Sequence, residues 1–560
     1  MGATPRTSEH AAGTPSAAPW GALAWALTGV IVVASLVVRI VNRGPYYPGF
    51  DLSGVANGLY VISTRASFAD ALAYVLRQSR EYGAPFPHYS VLAALVPGYL
   101  TAMWPWEYWA DVVTFAIVVA SGVLLLLATR LPLRHGWVLL LAWGASPALL
   151  SFSITGFAWT SAFLPLAMAL WITLDPRLRR RPLVTIALCL LTNELTWHVY
   201  EFGRTAFLVF ALAALVLRDV PVTHRAIWLA AATLQAWGVF TSPSHHVGSF
   251  EVMARPDLAT LGQGLRLVGE RLFVTPYLDV PLLLVAGLAT CLAPNRIRMF
   301  LLVLLLSQVG LLVLLAVFAP NAAHLRPRRY LTVDFYAIAL IASFWRDAVT
   351  TGTYRGLRGV VLALLVAGNV WQLADLARFV RAPIPRDPNI DFGFTLPYTH
   401  SPGDYLVRLG DVDWARELYD RVERGERLLL VYNLSVHDES VTNPEAILER
   451  LYVRLGHRRF VDSVLVFGSK SCRHTCLPIR PMDQVGPTLD ALRAAPERLG
   501  SITGYVVEKH EYDDPEFAPE RSQIMGELAR RFTVVMESPP NAKFVRFRLT
   551  PRQDGAAGSS

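Results

Sequence analysis

Long apolar stretches separated by short charged loops fill the first two thirds of the chain, and strand-like runs alternating with helical patterns fill the last third. The apolar stretches lie at about 20–38, 110–128, 137–153, 157–174, 183–195, 205–217, 226–241, 281–294, 299–318, 330–345 and 358–376. A helix needs about 20 apolar residues to cross a bilayer core, so the shorter stretches are expected to extend into their loops. The first, Trp20 to Val38, ends at Arg39 and reads as an uncleaved anchor. Hydropathy alone leaves open whether a further apolar segment, Tyr89–Trp104, crosses.

Loop charge decides that question. With 89–104 outside the count and a cytoplasmic N-terminus, five successive loops fall inside. They carry Arg130 and Arg134; Arg177, Arg179, Arg180 and Arg181; Arg218 and Arg225; Arg296 and Arg298; and Arg346, Arg355 and Arg358. All five then obey the positive-inside rule, whereas a crossing at 89–104 would move every one of them outside. The expectation is a polytopic α-helical membrane protein of about eleven spans, in the cytoplasmic (inner) membrane. Residues 1–19, rich in Ala, Ser, Thr and Pro, form a disordered cytoplasmic terminus, and 20–381 form the membrane domain with exported loops at 39–107 and 242–280. In the first loop, Ser67–Tyr82 reads as a juxtamembrane amphipathic helix. Phe68, Leu72, Val75 and Leu76 lie on one face, and Arg77 and Arg80 on another. Such a helix either lies in the interface plane or packs on the bundle.

From about Ala382 the pattern changes to a soluble α/β domain, 382–551, placed outside, with a disordered tail at 552–560. Strands are expected at Arg427–Leu434, Phe460–Phe467, Gly504–Glu508, Phe532–Glu537 and Phe544–Leu549, with a final hairpin around Ser538-Pro539-Pro540-Asn541. Helices are expected at Pro444–Leu455, with Asn443 as cap and Gly456 as stop, and at Pro519–Arg531. No Gly-x-Gly-x-x-Gly and no Gly-Lys-Ser/Thr loop occurs, which leaves nucleotide binding without support.

Composition agrees with a mixed chain. At 53% hydrophobic and 17% charged over 560 residues, with mean hydropathy +0.38, it is too apolar for a soluble protein and too charged for one lying wholly in the membrane. The net charge of +8 is concentrated in loops between spans, which is no nucleic-acid signature. Cys189 and Cys291 fall within spans as small hydrophobes. Cys472 and Cys476 fall in the exported domain, where an oxidising space favours a disulfide closing a tight loop. His474 between them raises a zinc alternative for which no fourth ligand is in sight.

The same topology gathers polar residues on the outer side. The segment Pro45-Tyr46-Tyr47-Pro48-Gly49-Phe50-Asp51 follows the first span, and a carboxylate at that boundary is either a helix cap or a functional acid. Arg65 lies in the same loop. Glu194, His198, Glu201 and Arg204 occupy a short outer connection, where the acids are equally candidates to pair with Arg204. His245 and His246 lie in the second large loop, as a metal pair or as plain loop residues. Arg326, Arg328 and Arg329, beside His324 and Asp334, are the exception to positive-inside. Guanidinium forks bind phosphate oxygens bidentately, so an anionic lipid phosphate explains them; pairing with Asp334, Glu201 or a phospholipid headgroup is the alternative. An acid and a cationic phosphate site at one interface suit group transfer from a lipid-linked donor, with the phosphate as leaving group and the carboxylate as general base.

The arrangement resembles the GT-C glycosyltransferases, in particular the polyprenyl-phosphate-sugar-dependent mannosyltransferase and aminoarabinose-transferase-like enzymes. The resemblance covers about 20–345. It rests on Gly49-Phe50-Asp51 after the first span, Pro87-His88-Tyr89-Ser90-Val91-Leu92 opening a juxtamembrane helix, the long second exported loop, and Arg329-Tyr330-Leu331 opening a late span. It implies a GT-C-like fold, an inverting sugar transfer and Asp51 as catalytic base. A place on the outer side, rather than the resemblance, makes Arg65, Glu194, His198, Glu201, Arg204, His245, His246, Arg326, Arg328, Arg329 and Asp334 candidate substrate-binding residues. The partners the resemblance implies are a polyprenyl-phosphate-linked sugar, a lipid, glycan or protein acceptor, and the bilayer. No cofactor is assigned. A divalent metal stays open, because Asp51 is followed by Leu52 and the Ser151–Phe157 loop holds no acid where the family often has a second one. Two other classes are weighed: a lipid or solute transporter or flippase, which would show mid-membrane charges and internal repeats, and a non-enzymatic cell-envelope scaffold.

Overall fold

The computed structural model describes residues 22–30, 33–34, 52–81, 90–106, 108–146, 149, 153, 158–199, 201–241, 258–273, 280–318, 330–381, 391–392, 406–407, 417–431, 444–468, 477–494, 502–507, 517–537 and 544–551. Apolar, helix-favouring sequence gives a series of helices through the first 381 residues. In chain order they are α1 (Leu52–Thr64), α2 (Phe68–Glu81), α3 (Val91–Met103), α4 (Trp109–Thr129), α5 (Trp137–Gly144), α6 (Phe163–Leu174) and α7 (Pro182–Leu195). There follow α8 (Ala206–Val216), α9 (Val222–Thr241), α10 (Leu258–Phe273), α11 (Val280–Cys291), α12 (Arg296–Phe318), α13 (Leu331–Thr350) and α14 (Arg355–Arg381). Among the described residues two helices are long and apolar enough to cross a membrane, α4 and the Arg296–Leu314 part of α12.

At the centre stands α13, buried from Leu331 to Trp345 without a break, its few polar side chains such as Asp334 included. On α4 the arrangement is opposite on one side: Val112, Phe115, Val119, Val123 and Leu127, at helical spacing, are all exposed. A contiguous apolar stripe of this length is a surface that water covers poorly.

Helix ends assigned to one side by loop charge do meet one another. Arg296 pairs with Asp219, and Arg298, 2% exposed, reaches Asp347 at 2.8 Å. Arg346 donates to the Thr129 carbonyl at 3.4 Å, and Arg130 stands 3.7 Å from Asp175. At the opposite ends, Ser146 at the close of α5 donates to Asp334 near the start of α13 at 3.0 Å. Trp197 beyond α7 lies against Gly238 of α9, where an added methyl would stand 3.0 Å from its ring.

The first loop folds as three packed helices. The amphipathic pattern over 67–82 does form α2, but its buried face is Ala71, Val75 and Ser79, flanked by partly buried Leu72, while Phe68 is exposed. Small residues at i, i+4 and i+8 let α2 lie close against Val61 of α1 and Leu95 of α3. Thirteen residues long, α3 falls short of a span. Its start is fixed by Ser90, whose hydroxyl accepts the Ala93 N–H at 2.8 Å.

Beyond residue 381 the chain forms a small antiparallel pair, β1 (Asp391–Phe392) and β2 (Leu406–Val407), and a six-stranded mixed sheet. The sheet strands are β3 (Arg427–Val431), β4 (Val464–Phe467), β5 (Ile479–Arg480), β6 (Ile502–Val507), β7 (Phe532–Met536) and β8 (Phe544–Pro551), in the order β5-β4-β3-β6-β8-β7. Strands β5, β4, β3 and β6 run parallel, and β8 is antiparallel to both its neighbours. Alternate residues of β3 serve two cores. Leu428 and Leu430 face α15 (Pro444–Ser463), whereas Leu429 and Val431 face α16 (Met482–Arg493) and α17 (Phe517–Arg531). The domain is therefore a sheet covered on both faces.

Three details depart from the sequence expectation. Gly456 does stop the helix, with φ +72°, but the chain re-enters helix at once, so Phe460 packs from α15 and the strand begins at Val464. The expected Arg427–Leu434 strand is described only to Val431. Strand β5 and helix α16 have no counterpart in the expectation; α16 holds Gly486-Pro487, a pair that reads as a turn.

An ion network closes the start of β3 and β6. Glu417 accepts from Arg421 at 2.9 and 3.0 Å, from the Tyr505 hydroxyl at 3.0 Å and from Arg546 at 3.0 Å, and Arg421 also reaches Glu426 at 2.7 Å. Burial alone would raise the Glu417 carboxyl, but the three donors outweigh it and hold the group below the usual carboxylate range. A carboxyl depressed in the folded state binds fewer protons than in the unfolded chain, so its stabilisation is complete above the unfolded value and fades as pH falls through the folded one. Acidification of the full chain below about pH 4.5 should therefore speed amide exchange in β3, β6 and β8, and Glu417→Gln should weaken that acid dependence. An unaltered acid response in the Gln variant would show that the network does not govern it.

Candidate functional site

The residue that follows Asp51 opens α1, and α1 is held from two sides. Val55 and Ala56 are fully buried and Leu59 is 1% exposed, so the helix is embedded rather than laid on a surface. On one side it crosses α3 at Gly58 and Gly98. A Cβ on Gly58 would run into the Ala94 carbonyl, and one on Gly98 into the backbone of Gly58 and Leu59. Only two glycines permit so close an approach. On the other side α1 packs along α15 of the C-terminal domain, with Val55, Ala56 and Leu59 in one apolar cluster with Leu448, Tyr452, Leu455 and Phe460. The His457 ring meets Tyr60 edge-on at 6.4 Å, and Pro105 lies 3.5 Å from where a Gly456 Cβ would stand.

The packing of α1 on α3 is antiparallel: Val61 and Ile62 lie with Val91 and Leu95, while Val55 lies with Ala110 beyond the end of α3. This orientation sorts the remaining candidates. His198, 5% exposed, is seated where α2 and α3 come together. Its Nδ1 stands 3.4 Å from the Ser79 hydroxyl and 3.5 Å from the Val91 N–H, and its Nε2 stands 3.5 Å from Glu194. A backbone N–H can only donate, so Nδ1 accepts from Val91. This assembly fastens the 195–205 connection onto the first loop. It lies by Val61, toward the end of α1 opposite Leu52, a separation of about 14 Å along the helix.

Arg65 belongs to that same far end, its guanidinium 4.1 Å above the Tyr74 ring. Arg204, 8% exposed, lies 4.6 Å over the Trp197 ring, and Trp197 in turn rests on Gly238. Asp334 is fully buried; its bond to Ser146 ties α13 to the end of α5, and its carboxylate does not open on solvent. Thus Glu194 and His198 meet at the junction of α2 and α3, Arg65 lies on α2 through Tyr74, Arg204 lies on Trp197, and Asp334 holds Ser146. Glu201 begins a short turn of helix, Glu201–Thr205.

Asp51, His245, His246, His324, Arg326, Arg328, Arg329, Cys472 and Cys476 lie outside the described residues. Among the described residues no group of three His, Cys, Asp or Glu side chains could hold a metal ion, and Cys189 and Cys291 are free thiols.

Several residues of this region escape the sequence reading. Near the Leu52 end stand Trp104, Trp106, Tyr108 and Trp109, a run of ring contacts in which Trp106 meets Trp109 at 5.1 Å and Tyr108 at 5.5 Å. Trp104 and Trp106 are exposed. The Trp-Pro-Trp-Glu-Tyr-Trp string is visible in the sequence and could have been singled out. Gly58, Gly98, Tyr60 and Tyr452 carry no local signal, because their roles exist only between segments.

No protein-family model matches the chain, and no curated protein matches it either.

Proposed function

We propose that the chain is a polytopic membrane glycosyltransferase of the GT-C type, which moves a sugar from a polyprenyl-phosphate donor to an acceptor at the outer face of the cytoplasmic membrane. The observation that carries the reading is α1: a buried helix, pinned by glycines on one side and by the C-terminal domain on the other, that begins at the residue after Asp51. An acid attached to such an element is pre-positioned, which is what a general base requires. The exposed apolar stripe of α4 suits a lipid-facing helix, and the meeting of helix ends that share a loop-charge assignment suits their lying on one side; the loop-charge reading itself supplies about eleven spans with the N-terminus inside and residues 382–551 outside.

In this scheme Asp51 takes the proton from the attacking acceptor group as its oxygen or nitrogen bonds to the anomeric carbon. The bond from that carbon to the phosphate oxygen breaks on the opposite face, inverting the configuration. The polyprenyl phosphate leaves with the electron pair, and Arg326, Arg328 and Arg329 offset its charge. Glu194 and His198 are assigned to fastening the first loop rather than to the reacting atoms.

The test uses the purified full chain in liposomes with a panel of polyprenyl-phosphate sugars. Consumption of one donor with release of polyprenyl phosphate is the expected result. Intact donors together with movement of lipid or solute across the bilayer would replace this reading by the transporter.

A further inference from the structure

Helix α3 buries one side and leaves the other open. Pro97, Gly98 and Thr101 are buried, Gly98 directly on α1, whereas Val96, Tyr99 and Met103, at i, i+3 and i+7, are exposed. The open side continues beyond both ends of this row. Phe68 of α2, itself exposed, sets its ring edge-on to Tyr99 at 5.3 Å. Past Met103 come Trp104 and Trp106, 61% and 45% exposed. The Trp109 indole donates to the Trp104 carbonyl at 2.9 Å, and Trp106 meets the Trp109 ring at 5.1 Å, so this turn is held against the first residue of α4. From there the exposed stripe of α4 begins at Val112. Charge is missing from the whole segment: Val91–Trp106 holds no Asp, Glu, Lys, Arg or His. A helix with one side in water carries polar and charged residues there, and an extended exposed apolar patch marks an interaction site.

We propose that the open side of α3, with Phe68, Trp104 and Trp106, rests in the headgroup layer of the outer leaflet and seats the first loop on the membrane. The inference rests on the reading above for the side of the membrane, and takes nothing from sugar transfer. Too short to cross a bilayer, α3 lies along its surface instead. Two features select lipid over a second protein. Trp and Tyr rings favour the headgroup layer, where the polar edge meets water and the body meets acyl chains. The patch also joins, through Trp106 and Trp109, a helix long and apolar enough to cross, whose own exposed stripe suits acyl chains. A soluble partner covering Trp106 would have to enter at the level where lipid already meets that helix. The amphipathic helix α2, the candidate for this role in the sequence, has Ala71 and Val75 buried against α1 and α3 and contributes Phe68.

The experiment places the photoreactive amino acid p-benzoylphenylalanine singly at Met103, Trp106, Val119 and Ala73 of the full chain. Each protein is reconstituted in liposomes of phosphatidylethanolamine and phosphatidylglycerol, illuminated, and weighed by mass spectrometry. Met103 and Trp106 should gain the mass of one phospholipid in yields like that at Val119 of the α4 stripe. Ala73, exposed on the polar side of α2, should gain none. Trp106 belongs to a ring cluster, so Met103 decides where replacement of Trp106 lowers the melting temperature. A doubled chain mass from Met103 puts a second copy on the patch and overturns the proposal. Absence of a lipid adduct at Met103 overturns it too, with or without one at Val119. An adduct at Met103 without one at Val119 takes α4 away from lipid, and with it the membrane reading of that helix, while the seating of α3 stands.

Discussion

Gly98→Ala should destabilise the first loop by about 1–3 kcal/mol, the usual range for overpacking a close contact. The new methyl group would fall on the backbone of Gly58 and Leu59, which has no rotamer to turn aside. The helices α1 and α3 must then separate, and Val61, Leu95 and Val75 lose contact together. An opposing effect exists, because alanine is favoured over glycine inside a helix by about 1 kcal/mol. The steric term wins at Gly98 because the whole crossing has to move. At Gly122 of α4 no atom lies within 4 Å of an added Cβ, so the propensity term acts alone and Gly122→Ala should be neutral or stabilising. Thermal unfolding of the two variants in detergent, with amide exchange to localise the change to α1 and α3, gives the comparison. A Gly98→Ala protein that melts and exchanges like wild type would show that the crossing is not tight.

What the sequence made legible follows the distinction between local and long-range causes. Helix α2, the stop at Gly456 and the β7–β8 hairpin each have a local cause, respectively an amphipathic period, a glycine able to take positive φ, and two strand-like runs around Pro539-Pro540. Of the face expected for α2, Val75 is buried, Leu72 and Leu76 are partly buried, and Phe68 alone is exposed. The fully buried line also takes in Ala71 and Ser79, small residues that a search for large apolar positions passes over. Candidate chemistry was legible as to residue type but not as to distance. Arg65 and Asp51 share a loop in sequence, yet the 13-residue helix α1 lies between them. The seating of α15 on α1 has no local signature in either segment, because each reads alone as an ordinary amphipathic or apolar stretch.

Asp51→Asn should lower kcat by about a hundred- to ten-thousandfold, the range for removal of a general base, while leaving the protein folded. The choice of asparagine separates the two roles that position 51 can have. Residue 51 precedes Leu52, the first residue of α1, in sequence, so a cap role has to be separated from a catalytic one. Asparagine caps a helix about as well as aspartate, and the lost attraction between a carboxylate and the helix N-terminus is worth only about 0.3–1 kcal/mol. A cap-only residue therefore predicts near-wild-type transfer, with at most a small fall in melting temperature. A base predicts loss of turnover at unchanged stability, since the amide cannot accept the proton of the attacking group. Asp51→Ala removes both functions and should lose turnover and some α1 protection together. Measured side by side in lipid, with donor KM followed as well as kcat, transfer by Asp51→Asn at wild-type rate would end the base assignment and leave Asp51 as the cap of α1.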